Sequence, residues 1–174
     1  MKRTILFLQT VIISAAFSFT AFANCLNTPV NTAENCMPAA EIVQIQQDEY
    51  YAFEQQVFEL INEKRIEAGV PALIYSLEAA EAADIRVKEA SVYFSHRRPD
   101  GRECFTVLDE LAIEDYMFAG ENIAAGFRTP EEVIAGWFAS EGHRENMLSA
   151  DYNRVGVGCY KVGERNYWAQ MFLG

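Results

Sequence analysis

The run Val155-Gly156-Val157-Gly158-Cys159-Tyr160, followed shortly by Tyr167-Trp168-Ala169-Gln170-Met171-Phe172, limits the fold more than any other stretch. Both runs are rich in β-branched and aromatic residues, and turn formers between Gly163 and Asn166 separate them, so the pair reads as a β-hairpin. The glycines at alternate positions strip side chains from one face of the first strand, where another element can pack closely. Helical patterns dominate the chain before this point. Helices first and the clearest strands last predict an α+β domain, with a small antiparallel sheet covered by helices.

The helices can be placed by their period. From about Asp48, Phe53, Val57, Leu60, Ile61 and Ala68 fall at helical spacing, and Gly69 followed by Pro71 ends the helix. Ser76 is a candidate N-cap for a second helix whose stripe, Ala80, Ala83, Val87, Ala90 and Phe94, is made mostly of small residues suited to close packing. That helix delivers Ser95 and His96 into a turn-rich loop, Arg97 to Arg102. Phe105 to Leu111 suggest a short helix. Gly120 to Gly126 form a brief apolar segment with one carboxylate, Glu121, inside it. Thr129, Pro130 and Glu132 then supply an N-cap, a first-turn proline and a capping box, and Val133, Ile134, Trp137 and Phe138 share a face. Ser140, Glu141 and Gly142 are expected to break this helix, with Gly142 turning the chain sharply to present His143 just beyond it. His96 and His143 are the only two histidines. A histidine held this way can bind a metal or move a proton near neutral pH.

Residues 1–23 read as a cleaved export signal, with Lys2 and Arg3, an apolar run from Ile5 to Phe22, and Ala21-Phe22-Ala23 at the cleavage site. No transmembrane segment is expected after cleavage, and the protein is expected to be secreted. Residues 24–47 are polar, contain Pro29 and Pro38, and read as an extended tail. The domain proper is expected over 48–174. The formal charge of −11, deepened by two when Lys2 and Arg3 are lost, argues against nucleic acid and anionic polymers as partners. Four cysteines in an oxidising compartment suggest two disulfides, with three connectivities open. Pairing the near neighbours Cys25 and Cys36 leaves Cys104 with Cys159. No Cys-x-x-Cys, His-Glu-x-x-His, Gly-x-Ser-x-Gly or phosphate-binding glycine loop occurs, and no organic cofactor is expected.

Four segments stand out together: Phe94-Ser95-His96, Gly120-Glu121-Asn122-Ile123, Trp137 to Leu148, and Tyr167 to Phe172. In this order and spacing they resemble the CAP superfamily, or SCP domain, which includes cysteine-rich secretory proteins, antigen 5 and plant pathogenesis-related class 1 proteins. The strings SHRRPDGR, GENIAAG, GHRENML and VGVGCY are most similar to the bacterial branch. The resemblance runs from about residue 50 to the end. It implies a three-layer α-β-α sandwich whose central cleft holds two histidines and two acids, often with a divalent metal. His96 matches the first histidine, Glu121 the first acid and His143 the second histidine. The second acid of eukaryotic members would fall on Ser140. Glu141, one position later, is the candidate substitute, and without it the set is a triad.

Apart from the resemblance, two imidazoles with one or two carboxylates can hold zinc or a similar divalent ion and leave positions open to water. Such an ion would lower the pKa of that water and permit hydrolysis. The same residues can equally form a hydrogen-bonded network that stabilises the fold. The expectation is a secreted binding module for a lipid, a peptide or an envelope component, with a divalent-metal site in its cleft. The alternative is a metal-assisted, peptidase-like hydrolase.

Overall fold

The computed structural model describes residues 38–174; the expected export signal, most of the expected polar tail and the expected Cys25–Cys36 pairing lie outside the described residues. The expected hairpin forms from β3 (Arg154–Val162) and β4 (Arg165–Leu173), paired antiparallel from Arg154↔Leu173 to Val162↔Arg165. Gly163 closes it at φ +59, a left-handed conformation that glycine adopts without steric cost. On the other side of β4, β2 (Ala119–Ala125) adds antiparallel. A two-residue strand, β1 (Ile74–Tyr75), pairs parallel with β3, giving the order β1-β3-β4-β2. The sheet is therefore mixed, where the sequence suggested an antiparallel one. A two-residue strand is too short to leave an alternation signal.

Side chains alternate across the sheet and found two cores. On one face α2 (Leu77–Val92) and α3 (Thr106–Glu110) pack Ala79, Ala82, Ala83, Val87 and Leu108 against Ala169, Met171 and Leu173. On the other, α1 (Ala39–Glu67), α4 (Pro130–Ala139) and the sheet join Val57, Ile61, Val133, Ile134 and Trp137 to Val155, Val157, Trp168 and Phe172. α5 (Glu141–Leu148) follows α4 and adds Met147 to that second core. This is the expected α+β, three-layer arrangement. The alternating glycines meet the expected partner: a Cβ on Gly156 would run into the Ala79–Ala80 peptide, and one on Gly158 would sit 2.8 Å from the Ala83 carbonyl. Ser76 caps α2, accepting the Ala79 N–H at 3.2 Å.

One buried cation ties the second layer together. Arg65, in the last turn of α1 and 1% exposed, donates to the carbonyls of Pro71, Met147, Ser149 and Tyr152 at 2.7, 2.8, 2.9 and 3.2 Å. It thereby fixes the end of α5 and the approach to β3. Among the described residues no helix is long and apolar enough to cross a membrane.

Several expectations need correction. Residues 39–47, read as the end of the tail, are helical, because α1 begins at Ala39. Ala40, Glu41, Val43, Gln44 and Gln47 are exposed there, and exposed positions carry no apolar period to detect. α2 ends at Val92, so Phe94 lies beyond its stripe and is 53% exposed. Gly142 does not turn the chain. The break falls at Ser140, whose extended backbone (φ −90, ψ 125) closes α4 and opens α5, so His143 lies inside a second helix. Cys104 and Cys159 are both buried and free. Cys104 lies beside Glu121, and burial and that charge push its thiol up to about 12. Cys159 sits in the α1-side core. The expected bond between them is therefore not formed.

Candidate functional site

β2 is an edge strand, and alternation sends neighbouring side chains into different layers. Glu121 points toward α2, where Arg86 meets it: Arg86 Nε donates to Oε2 at 2.6 Å and Nη2 to Oε1 at 3.4 Å. His96, carried by the loop after α2, places Nδ1 2.8 Å from Glu121 Oε1. Arg86 is fully buried, and Nη2 also holds the Ser95 carbonyl at 2.9 Å. Glu121 is thus a buried carboxylate clamped between a permanent cation and an imidazole.

On the other side, amides fasten α5 to the same strand. Asn122 Nδ2 donates to the His143 carbonyl and to Gln170 Oε1, both at 3.1 Å. Asn146 Nδ2 donates to Asn122 Oδ1 at 3.0 Å and to the Glu121 carbonyl at 3.2 Å. Trp137 Nε1 covers the Ile123 carbonyl at 3.3 Å. Side chains therefore satisfy carbonyls that an edge strand would otherwise offer to a passing strand. His96, Glu121 and His143 gather around β2. Glu141 does not join them: it is exposed, and two residues along a helix place it roughly 200° around the axis from His143.

A carboxylate only accepts, so His96 Nδ1 carries the proton of that bond, and in the neutral ring Nε2 is left with a lone pair. The ring's side chain is 57% exposed. The Glu121 hydrogen bond raises the His96 pKa above its ordinary value, with burial opposing. Burial lowers that of His143, and charge on His96 lowers it further. With only two histidines in the chain, ring C–H signals should resolve two titrations, His96 at the higher pH. The opposite order would contradict the geometry. The linkage signs differ too. Stabilisation from His96 is full below the unfolded value of about 6.5 and is lost as pH rises through its folded pKa. That from His143 is present above the same value and is lost as pH falls through its folded pKa.

Glu121 itself is a poor ligand for the expected divalent metal. Both Glu121 oxygens are engaged by Arg86 and His96, and the Arg86 guanidinium places a fixed positive charge against the carboxylate. Among the described residues no group of three or more His, Cys, Asp or Glu is arranged to hold a metal ion. Sequence reasoning missed Arg86, Asn122 and Asn146. Arg86 had a signal, because it continues the small-residue face of α2 between Ala82 and Ala90. An arginine at a core position requires a buried acceptor, and Glu121 was already marked as a lone carboxylate in an apolar segment.

The chain matches the family profile described as the cysteine-rich secretory protein family, CAP, over residues 58–172. It is 37% identical to the uncharacterized Bacillus subtilis protein YkwD, over 71% of this chain and 48% of that protein. It is 34% identical to the Bacillus subtilis membrane protein YlbC, over 69% of this chain and 34% of that one. The chain thus spans half or less of the length of these relatives. Among solved structures it resembles an extracellular SCP-domain protein from Bacillus anthracis, with TM-score 0.68 and 29% identity over 79% of this chain and 44% of that one. The fold, the family profile and these relatives agree, and the chain belongs to the CAP (cysteine-rich secretory protein) family as a bacterial-type member.

Proposed function

We propose that this chain is an exported binding module that contacts its ligand through His96 and His143. One observation carries the reading: Glu121 is committed to Arg86 and His96, which leaves Nε2 of the neutral, half-exposed His96 ring as an acceptor. A ligand with an N–H or O–H donor fits that atom, and the exposed Tyr93 and Phe94 supply apolar surface just before His96 in the chain. A peptide combines both properties. A separate groove of about 410 Å³ between α1 and α4, lined by Leu60, Ile134, Ala135 and Phe138, would suit a lipid, so the screen includes lipids and envelope glycans. Export is supported by the leader sequence, and the similar Bacillus anthracis protein is described as extracellular.

The test uses His96→Ala, which leaves the Arg86–Glu121 pair in place. Affinity for a peptide hit should fall about tenfold, the worth of one hydrogen bond of about 1.4 kcal/mol, with the fold retained. Unchanged affinity would sink the reading. A second reading has its own support, because a carboxylate holding the Nδ1–H of a histidine orients Nε2 as a general base toward water. A hydrolase screen distinguishes the two: turnover that vanishes in His96→Ala favours the enzyme. Calorimetric titration with zinc is expected to give no tight site. One-to-one binding lost in both His96→Ala and His143→Ala would restore the metal centre.

A further inference from the structure

Glu121 holds one atom of the His96 ring, yet an exposed ring on a loop needs its backbone fixed as well. The loop is anchored on both sides of His96. Before it, the Ser95 carbonyl is held by Arg86 Nη2 at 2.9 Å. After it, Arg98 turns inward and is 5% exposed. Both anchors end on one carboxylate. Glu89 Oε2 pairs with Arg86 Nη1, and Glu89 Oε1 accepts from Arg98 Nε at 2.9 Å and Nη2 at 2.7 Å. Arg98 extends the chain of alternating charge to Glu110 at 2.9 Å and to Thr106 Oγ1 at 3.2 Å. Glu110 in turn pairs with Arg102, which pairs with Asp100.

We propose that Glu89 and Arg98 are positioning residues for the ligand site, holding the loop from both sides so that His96 keeps Nδ1 on Glu121 and Nε2 toward the ligand. The inference rests on the reading of His96 as the ligand-contacting group, but its test needs no ligand. Glu89 is suited to the role because one planar carboxylate spans two guanidinium forks, and charge-assisted fork contacts fix direction as well as distance. The pair is also well shielded, since Arg86 is fully buried and the Glu89 side chain is 18% exposed. Neither Glu89 nor Arg98 bonds to the His96 ring, so each acts through Arg86 and the loop backbone.

A purely structural role would change stability and leave the His96 tautomer alone. The readout is therefore the tautomer, taken from long-range nitrogen–carbon correlations of the ring at a pH where both histidines are neutral. In the unmodified full-length chain His96 should be a single Nδ1–H form. In Glu89→Gln, which keeps the side-chain shape and removes the charge, it should become a mixture of both tautomers, while the His143 signal stays unchanged as an internal control. If Glu89→Gln does not fold, Arg98→Lys decides: it keeps one charge on Glu89 but loses the fork, and it should also give a mixture. A single Nδ1–H form retained in the folded variant would overturn the proposal. Failure to find any ligand would count against the binding reading and leave this result standing.

Discussion

Gly156→Ala is expected to cost about 3 kcal/mol or more, the upper end for overpacking, and to lower the melting midpoint by roughly 10 °C for a domain of this size. The size follows from what the new methyl would meet. It would run into the Ala79–Ala80 peptide of α2, and backbone cannot swing aside as a side chain can. Relief requires lifting α2 from the sheet, which disturbs the packing of Ala79, Ala82 and Ala83. The same helix carries Arg86, so the His96 ring signal should broaden or move with the loss of stability. Gly158→Ala is the internal comparison. Its methyl would lie 2.8 Å from the Ala83 carbonyl, a milder conflict, and about 1–2 kcal/mol is expected. Thermal and denaturant unfolding measure both. A Gly156→Ala protein as stable as the original would mean that α2 does not rest directly on β3.

Arg65→Met should cost about 3 kcal/mol for a different reason. The guanidinium satisfies four carbonyls from three stretches of chain, and stranding a buried acceptor costs about 1–3 kcal/mol. The terms do not simply add. Burial lowers the Arg65 pKa, which marks a desolvation cost that removing the charge recovers. Those carbonyls near the surface can also turn to water. Arg65→Lys is expected to rescue only part of the loss, since one ammonium cannot reproduce the planar fork that reaches Pro71 on one side and Met147 on the other. Because Arg65 fixes the end of α5, the His143 signal should shift in both variants while that of His96 holds. Stability within about 0.5 kcal/mol of the original, the range of ordinary surface changes, would contradict this role.

The parts of the fold legible in the sequence were those written in local pattern. Thr129 and Ser76 accept the N–H groups of Glu132 and Ala79 as their capping positions imply. The alternating glycines of β3 announced a close neighbour, which proved to be α2. Of the motif residues, His96 is bonded to Glu121, and the His143 backbone carbonyl meets Asn122 beside it. What was hidden depended on three-dimensional pairing. Gly142 looked like a hinge because glycine permits one, yet Ser140 makes the break with ordinary extended angles. Cys104 and Cys159 suggested a bond by count alone, yet both are free and buried. Glu121 looked like a free ligand because its partner, Arg86, is 35 residues away in the chain. An arginine on the buried face of one helix and a carboxylate inside an apolar strand are each costly alone. Considered together, they predict each other.

The two histidine ring signals report on the central claim most directly, because no other residue in the chain gives signals of that type. They would be followed in the full-length protein while a hit from the peptide and lipid screen is titrated in. If ligand is held at His96 and His143 around the clamped Glu121, both signals should move and saturate with one dissociation constant, and His96→Ala should weaken that constant about tenfold. A ligand that binds, as shown by calorimetry, while both ring signals stay in place would contradict the account.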